Sequence, residues 1–110
     1  MVNDIHGYGK RLASVMERLE SDKNLNKENK LDLLRFKKRL EAEGISDGRI
    51  FKYLWTLRNI STWLKKSFRK ATKEDIVNVV SKIEKMDYST STKHDYQVSL
   101  KRFYRFLFDQ

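Results

Sequence analysis

At 110 residues the chain is long enough for one domain that buries a core without covalent staples. It has no cysteine, which excludes a disulfide framework and a Cys-ligated metal, and no apolar run approaches a membrane span. Net charge is +9 with a pI near 9.8, and the excess is uneven: residues 1–45 hold ten basic and eight acidic side chains, residues 46–110 fourteen and seven.

Proline is absent and glycine occurs only at positions 7, 9, 44 and 48, so apolar periodicity must delimit the elements. It predicts five helices. Residues 1–7, His6 among them, read as a disordered tail. Tyr8, Leu12, Val15, Met16 and Leu19 recur at helical spacing and predict a helix over 8–20. After a polar break at Ser21 to Asn26, Asn26 is the expected N-cap of a helix over 27–43, because its side-chain oxygen can accept from a first-turn N–H. Leu33, Phe36 and Leu40 form its inner face, and Gly44 supplies a left-handed stop. Its Lys37, Lys38 and Arg39 lie near Glu41 and Glu43 and read as ordinary solvated surface.

Ser46 or Asp47 caps a third helix over 47–66, with Ile50, Tyr53, Leu54, Leu57, Ile60 and Leu64 inward. Thr72 caps a fourth over 73–86, where Glu74 and Asp75 complement the positive end of the dipole and Ile76, Val79, Val80, Ile83 and Met86 form the core stripe. Ser89 to Thr92 opens the fifth, over 91–108, with Tyr96, Leu100, Phe103 and Leu107 inward. The expected fold is all-α, a small bundle of four to five helices forming a single domain over 1–110.

The charge then has to be placed. Gly48 to Lys73 contains eight basic residues, both tryptophans and no Asp or Glu. A merely solvated helix interleaves acids with bases, so an acid-free run points to a polyanionic partner, of which nucleic acid is the commonest. At about 100° per residue, Lys52, Asn59 and Lys66 fall opposite the third helix's core stripe, with Thr56, Trp55 and Trp63 beside them. On the fifth helix His94, Lys101 and Arg105 fall opposite Leu100 and Phe103, with Gln97 and Arg102 adjacent. Lys and Arg supply phosphate affinity, while Asn, Gln and bidentate Arg can also read base edges. The turn Ser89-Thr90-Ser91-Thr92-Lys93 adds hydroxyls and backbone N–H groups at a helix start, where phosphate binds readily. Trp55 and Trp63 read as packing residues, and the fourth helix as structural.

No catalytic constellation is present. The two histidines are 88 positions apart, no Gly-rich phosphate loop or EF-hand pattern occurs, and no serine has a credible base nearby. No cofactor or metal is expected, and the chain by itself does not read as an enzyme.

Several strings, in order, resemble the N-terminal core-binding, SAM-like domain of the tyrosine recombinases (phage integrase family), most closely its archaeal members. They are Ser46 through Tyr53-Leu54 with Leu57 and Trp63-Leu64; Phe68 with Ala71-Thr72-Lys73-Glu74-Asp75-Ile76; and Thr92-Lys93-His94-Asp95-Tyr96 followed by Leu100-Lys101-Arg102-Phe103-Tyr104-Arg105-Phe106-Leu107. The resemblance covers about residues 8–108. It implies sequence-specific binding of double-stranded DNA in site-specific recombination or DNA integration, in partnership with a catalytic domain of the parent recombinase and with other protomers on DNA. Residues implied to contact DNA are Arg49, Lys52, Thr56 and Asn59 on the third helix and Thr92, Lys93, Gln97 and Lys101 on the fifth. Periodicity and charge add Lys66, His94 and Arg105. Arg49 stands where many relatives have Thr. The family's Arg, Lys, His-x-x-Arg and nucleophilic Tyr set is absent, so the chain is expected to be a fragment of a longer recombinase. The expected location is cytoplasmic, nucleoid-associated when bound. The competing readings are a stand-alone helical DNA-binding regulator and a basic protein-interaction bundle.

Overall fold

The computed structural model describes residues 7–109. The tail expected over 1–7 lies outside the described residues except for Gly7, which takes a left-handed conformation (φ 70°) at the N-cap of the first helix. Five α-helices follow: α1 (Tyr8–Ser21), α2 (Lys27–Ala42), α3 (Asp47–Leu64), α4 (Lys73–Lys85) and α5 (Thr90–Phe108), with a 3-10 turn at Phe68–Lys70 between α3 and α4. The described residues form no strand. None of these helices is long and apolar enough to cross a membrane.

Capping chemistry sets most boundaries. Asn26 accepts from the Asn29 N–H at 2.8 Å, Ser46 from that of Arg49, and Ser89 from that of Thr92 at 3.1 Å. Thr72 and Asp75 form a reciprocal capping box at 3.1 and 2.8 Å. At the end of α2, Gly44 (φ 75°) donates to Glu41 O and Ile45 to Leu40 O, each at 3.0 Å, the paired bonds of a Schellman stop. α3 ends at Leu64, short of the expected 66. Lys65 enters the left-handed region (φ 62°) and donates to Ser61 O, which turns the chain away.

α3 is the central element, touching α1, α2, α4 and α5. Its Ile50, Leu54, Leu57 and Ile60 are fully buried. They meet Leu12, Val15 and Leu19 from α1, Leu33, Phe36 and Leu40 from α2, Val79 and Ile83 from α4, and Leu100, Phe103 and Leu107 from α5 in one core. Each fully buried Leu, Ile or Phe contributes about 1.5–3 kcal/mol by leaving water. Phe103 anchors an aromatic cluster, with ring centroids 5.2 Å from Phe36 and 4.9 Å from Phe68.

The basic turn after α3 is tied down by buried polar groups. The Asn29 side chain, 2 % exposed, accepts from the Phe68 N–H at 2.9 Å and donates to Lys66 O at 3.2 Å. Asp32, equally buried, takes two hydrogen bonds from the Arg69 guanidinium at 2.8 and 3.0 Å. Tyr104 of α5 donates to Phe68 O at 2.8 Å. Burial pushes that phenol up to about 12, so it stays a donor. The turn is therefore held from both α2 and α5.

Candidate nucleic-acid interface

α3 and α5 cross where both carry small polar residues. Thr56 and Ser99, 6 % and 2 % exposed, hydrogen-bond each other at 2.8 Å, and the Thr56 hydroxyl also lies 2.9 Å from Lys52 O. Small side chains let the two helices approach, and their hydroxyls satisfy one another where water cannot reach. Thr56 was expected on the DNA-facing line, beside the residues opposite α3's core stripe. It is instead buried where α3 meets α5, with its hydroxyl bonded to Ser99.

On one side of this crossing the helices diverge into a groove. A hollow of about 580 Å³ is lined by Phe36, Arg39, Leu40 and Glu43 of α2 and its C-cap, Arg49 and Tyr53 of α3, and Val98, Lys101, Arg102, Arg105 and Phe106 of α5, with Asp109 at the end. A second hollow of about 220 Å³ shares Arg49, Tyr53 and Val98 and extends over Lys52, His94, Asp95 and Ser99. Together they make one furrow carrying six cations from three helices against three carboxylates.

Several of these cations are held in place by aromatic rings. The Arg49 and Arg102 guanidinium groups lie 5.8 and 5.4 Å from the Tyr53 ring centroid, and both donate to its hydroxyl, at 3.0 and 3.2 Å. Arg39 lies 5.7 Å from the Phe106 ring. A planar guanidinium over an aromatic face loses little freedom on binding a second partner, because its orientation is already restricted. Arg102 also donates to Glu43 at 2.7 Å. Burial pulls its pKa down, but the Tyr53 and Glu43 hydrogen bonds outweigh this and leave it raised.

The furrow gathers Arg49, Lys52, His94, Lys101 and Arg105 from the residues singled out in the sequence. Others lie elsewhere. Lys66 projects toward the start of α4 and pairs with Asp75 at 2.9 Å. Asp75 is held down at about 2 by the Thr72 backbone hydrogen bond and then by Lys66. Lys93 donates to Glu84 O at 2.8 Å and Gln97 to the Glu84 carboxylate at 2.9 Å, so both tie α5 to α4. Thr92 is occupied in the Ser89 cap, its hydroxyl 3.0 Å from that of Ser89. Asn59 donates to the Tyr96 hydroxyl at 2.9 Å. Burial, with contributions from Tyr88, pushes Tyr96 up to about 12 despite the Asn59 bond. Each of these polar groups already holds one partner inside the fold and keeps further donor or acceptor capacity.

Arg39 and Tyr53 line the furrow although the sequence points to neither as a contact, and Arg102, which the helical period places beside the basic face of α5 but not among the expected contacts, lies at its centre. Glu41 and Glu43 follow Arg39 in sequence, which gives it the pattern of ordinary solvated surface. Its neighbours Phe36 and Leu40 are core residues, which was the available signal that it sits at the edge of a buried face. Both tryptophans pack. Trp55 lies between Arg18 and Arg58 (5.8 and 5.6 Å) and stacks on Phe51, and Trp63 lies against Tyr96. No group of His, Cys, Asp or Glu among the described residues could hold a metal ion.

A family model described as phage integrase, N-terminal SAM-like domain, matches residues 33–110. That span takes in most of α2 and all of α3, α4 and α5, and therefore every residue of the furrow; α1 precedes it. No curated protein and no solved structure matches the chain.

Proposed function

The chain belongs to the phage integrase N-terminal SAM-like domain family, and on that premise we propose that it binds duplex DNA along the α3–α5 furrow for a site-specific recombinase. The family assigns it a recombinase-associated role, and the matched domain is not the catalytic one. Strand cleavage is then the work of a catalytic domain of the parent recombinase. This domain's part is to seat and orient the recombination site.

The observation that carries this reading is the convergence of Arg39, Arg49, Lys52, Lys101, Arg102 and Arg105 on one furrow. Residues from three separate helices meet there, although sequence separates Arg39 from Arg105 by most of the matched domain. Such a surface supplies phosphate contacts that position a duplex, and Arg49, Lys52 and Lys101 at its rim can also reach base edges. Asn59 and Gln97 each give one amide N–H to Tyr96 and Glu84, which leaves a second N–H and the carbonyl oxygen for base edges. The affinity is dominated by phosphates, because the furrow is lined chiefly by cations.

A gel-shift salt titration tests the reading. Neutralising four to six phosphates gives a log–log slope of about −4 to −5, on dissociation constants of about 10⁻⁴–10⁻⁶ M for non-specific duplex. Absence of binding to any duplex at low salt would sink it.

A further inference from the structure

The furrow contains one acid whose position is unfavourable for its own helix. Glu43 is the C-cap of α2, where the negative end of the helix dipole disfavours a carboxylate. It is offset by a short bond, 2.7 Å, to Arg102 of α5. Arg102 is at the same time one of two guanidinium groups on the Tyr53 hydroxyl. The Arg49 and Arg102 nitrogens that donate there, at 3.0 and 3.2 Å, are no farther apart than those two lengths laid end to end, within reach of one phosphate. A phenol oxygen that accepts from two guanidinium groups keeps its own proton to donate to an incoming oxygen.

We infer that Arg49, Tyr53 and Arg102 form a seat for a single DNA phosphate, and that Glu43 occupies Arg102 until that phosphate displaces it. This rests on the DNA-binding reading of the furrow and adds a specific seat and an internal competitor to it. The carboxylate stands in for the phosphate: both are oxyanions that accept from a planar guanidinium. Without DNA, Glu43 lowers the cost of holding two guanidinium groups side by side. With DNA, the phosphate takes over the role and Glu43, which is exposed at the rim, returns to water. The exchange makes weak, non-specific contact less favourable, because the Arg102–Glu43 bond must break each time.

The test compares Glu43→Gln with Glu41→Gln. Glu41 is an exposed acid two residues away that pairs with Lys37 and does not line the furrow. Binding of a short random-sequence duplex is followed by fluorescence anisotropy across a salt series, with far-UV circular dichroism confirming the fold. Glu43→Gln is expected to tighten binding about two- to fivefold, the worth of a partly exposed ion pair, at an unchanged log–log salt slope, because the same phosphate is seated in both complexes. A slope steeper by about 0.9 would overturn the displacement, by showing that Glu43 keeps the seat empty in the wild-type complex. Glu41→Gln is expected to change affinity less and leave the slope alone. Equal gains from both variants would reduce Glu43 to general repulsion and overturn the displacement, leaving DNA binding intact. Weaker binding by Glu43→Gln would also overturn it, by making Glu43 a support for Arg102. No binding by wild type or either variant removes this inference together with the DNA reading beneath it.

Discussion

Replacing Asn29 with alanine should destabilise the domain severely while leaving the furrow's chemistry alone. Asn29 is 2 % exposed and spans two peptide groups of the turn after α3. In the variant the buried Phe68 N–H loses its Asn29 acceptor, at about 1–3 kcal/mol, and the less buried Lys66 carbonyl loses a donor that water partly replaces. The sum is about 2–4 kcal/mol, a large part of the stability of a domain this size. Urea denaturation followed by circular dichroism reads it as a lower midpoint at unchanged m-value. Duplex affinity, measured below the transition, should stay within about twofold, because the groups Asn29 bonds, on Asn26, Lys66 and Phe68, lie outside the furrow lining. A loss under about 0.5 kcal/mol would refute the reasoning that the turn is clamped through this side chain. A full-stability variant that lost DNA binding would instead make the basic turn, and not the furrow, the main contact.

Other substitutions separate structural from binding roles. Thr56→Val should cost about 1 kcal/mol for the lost bond to Ser99 and leave duplex affinity unchanged, measured by denaturation and anisotropy on the same sample. Lys65→Gly should stabilise by up to about 1 kcal/mol, since glycine has no penalty at φ 62°, less the favourable cation at the end of α3; a lower urea midpoint would contradict the left-handed turn. Asp75 gives a pH signature. Its carboxyl is depressed to about 2 in the folded state, so its contribution is complete above the unfolded value near pH 4 and is lost as pH falls toward 2. Asp75→Asn should flatten thermal stability across that acid window, and an unchanged acid limb would show that the capping box carries no proton linkage.

The fold was legible because its boundaries are local chemistry. Asn26, Thr72 and Gly44 announce their roles to their nearest neighbours in sequence, and the apolar stripes of α3 and α5 need only the helical period. The site was legible in part, and the gap has a specific physical cause. Periodicity gives the angle of a side chain around its own helix but not which neighbouring helix covers that angle. Thr56 lies on a polar arc of α3 and is buried by α5; Gln97 and Lys93 lie on a polar arc of α5 and are taken by Glu84 of α4. Arg39 illustrates the reverse case, since it lines the furrow with α5 and lies against the Phe106 ring of that helix, a neighbour its own helix does not reveal. Lys66 belonged to the acid-free run in sequence, yet its charge meets Asp75 just beyond that run.

The most direct measurement is charge reversal on two faces in parallel, with duplex binding read by anisotropy at low salt and helicity by circular dichroism. Lys52→Glu with Lys101→Glu reverses the furrow, and Lys82→Glu with Lys85→Glu reverses the outer face of α4 beside Trp63. The furrow pair should abolish binding with helicity intact, while the α4 pair retains most of it. Equal loss from the two pairs, or undiminished binding after the furrow is reversed, would contradict the assignment of DNA to the α3–α5 furrow.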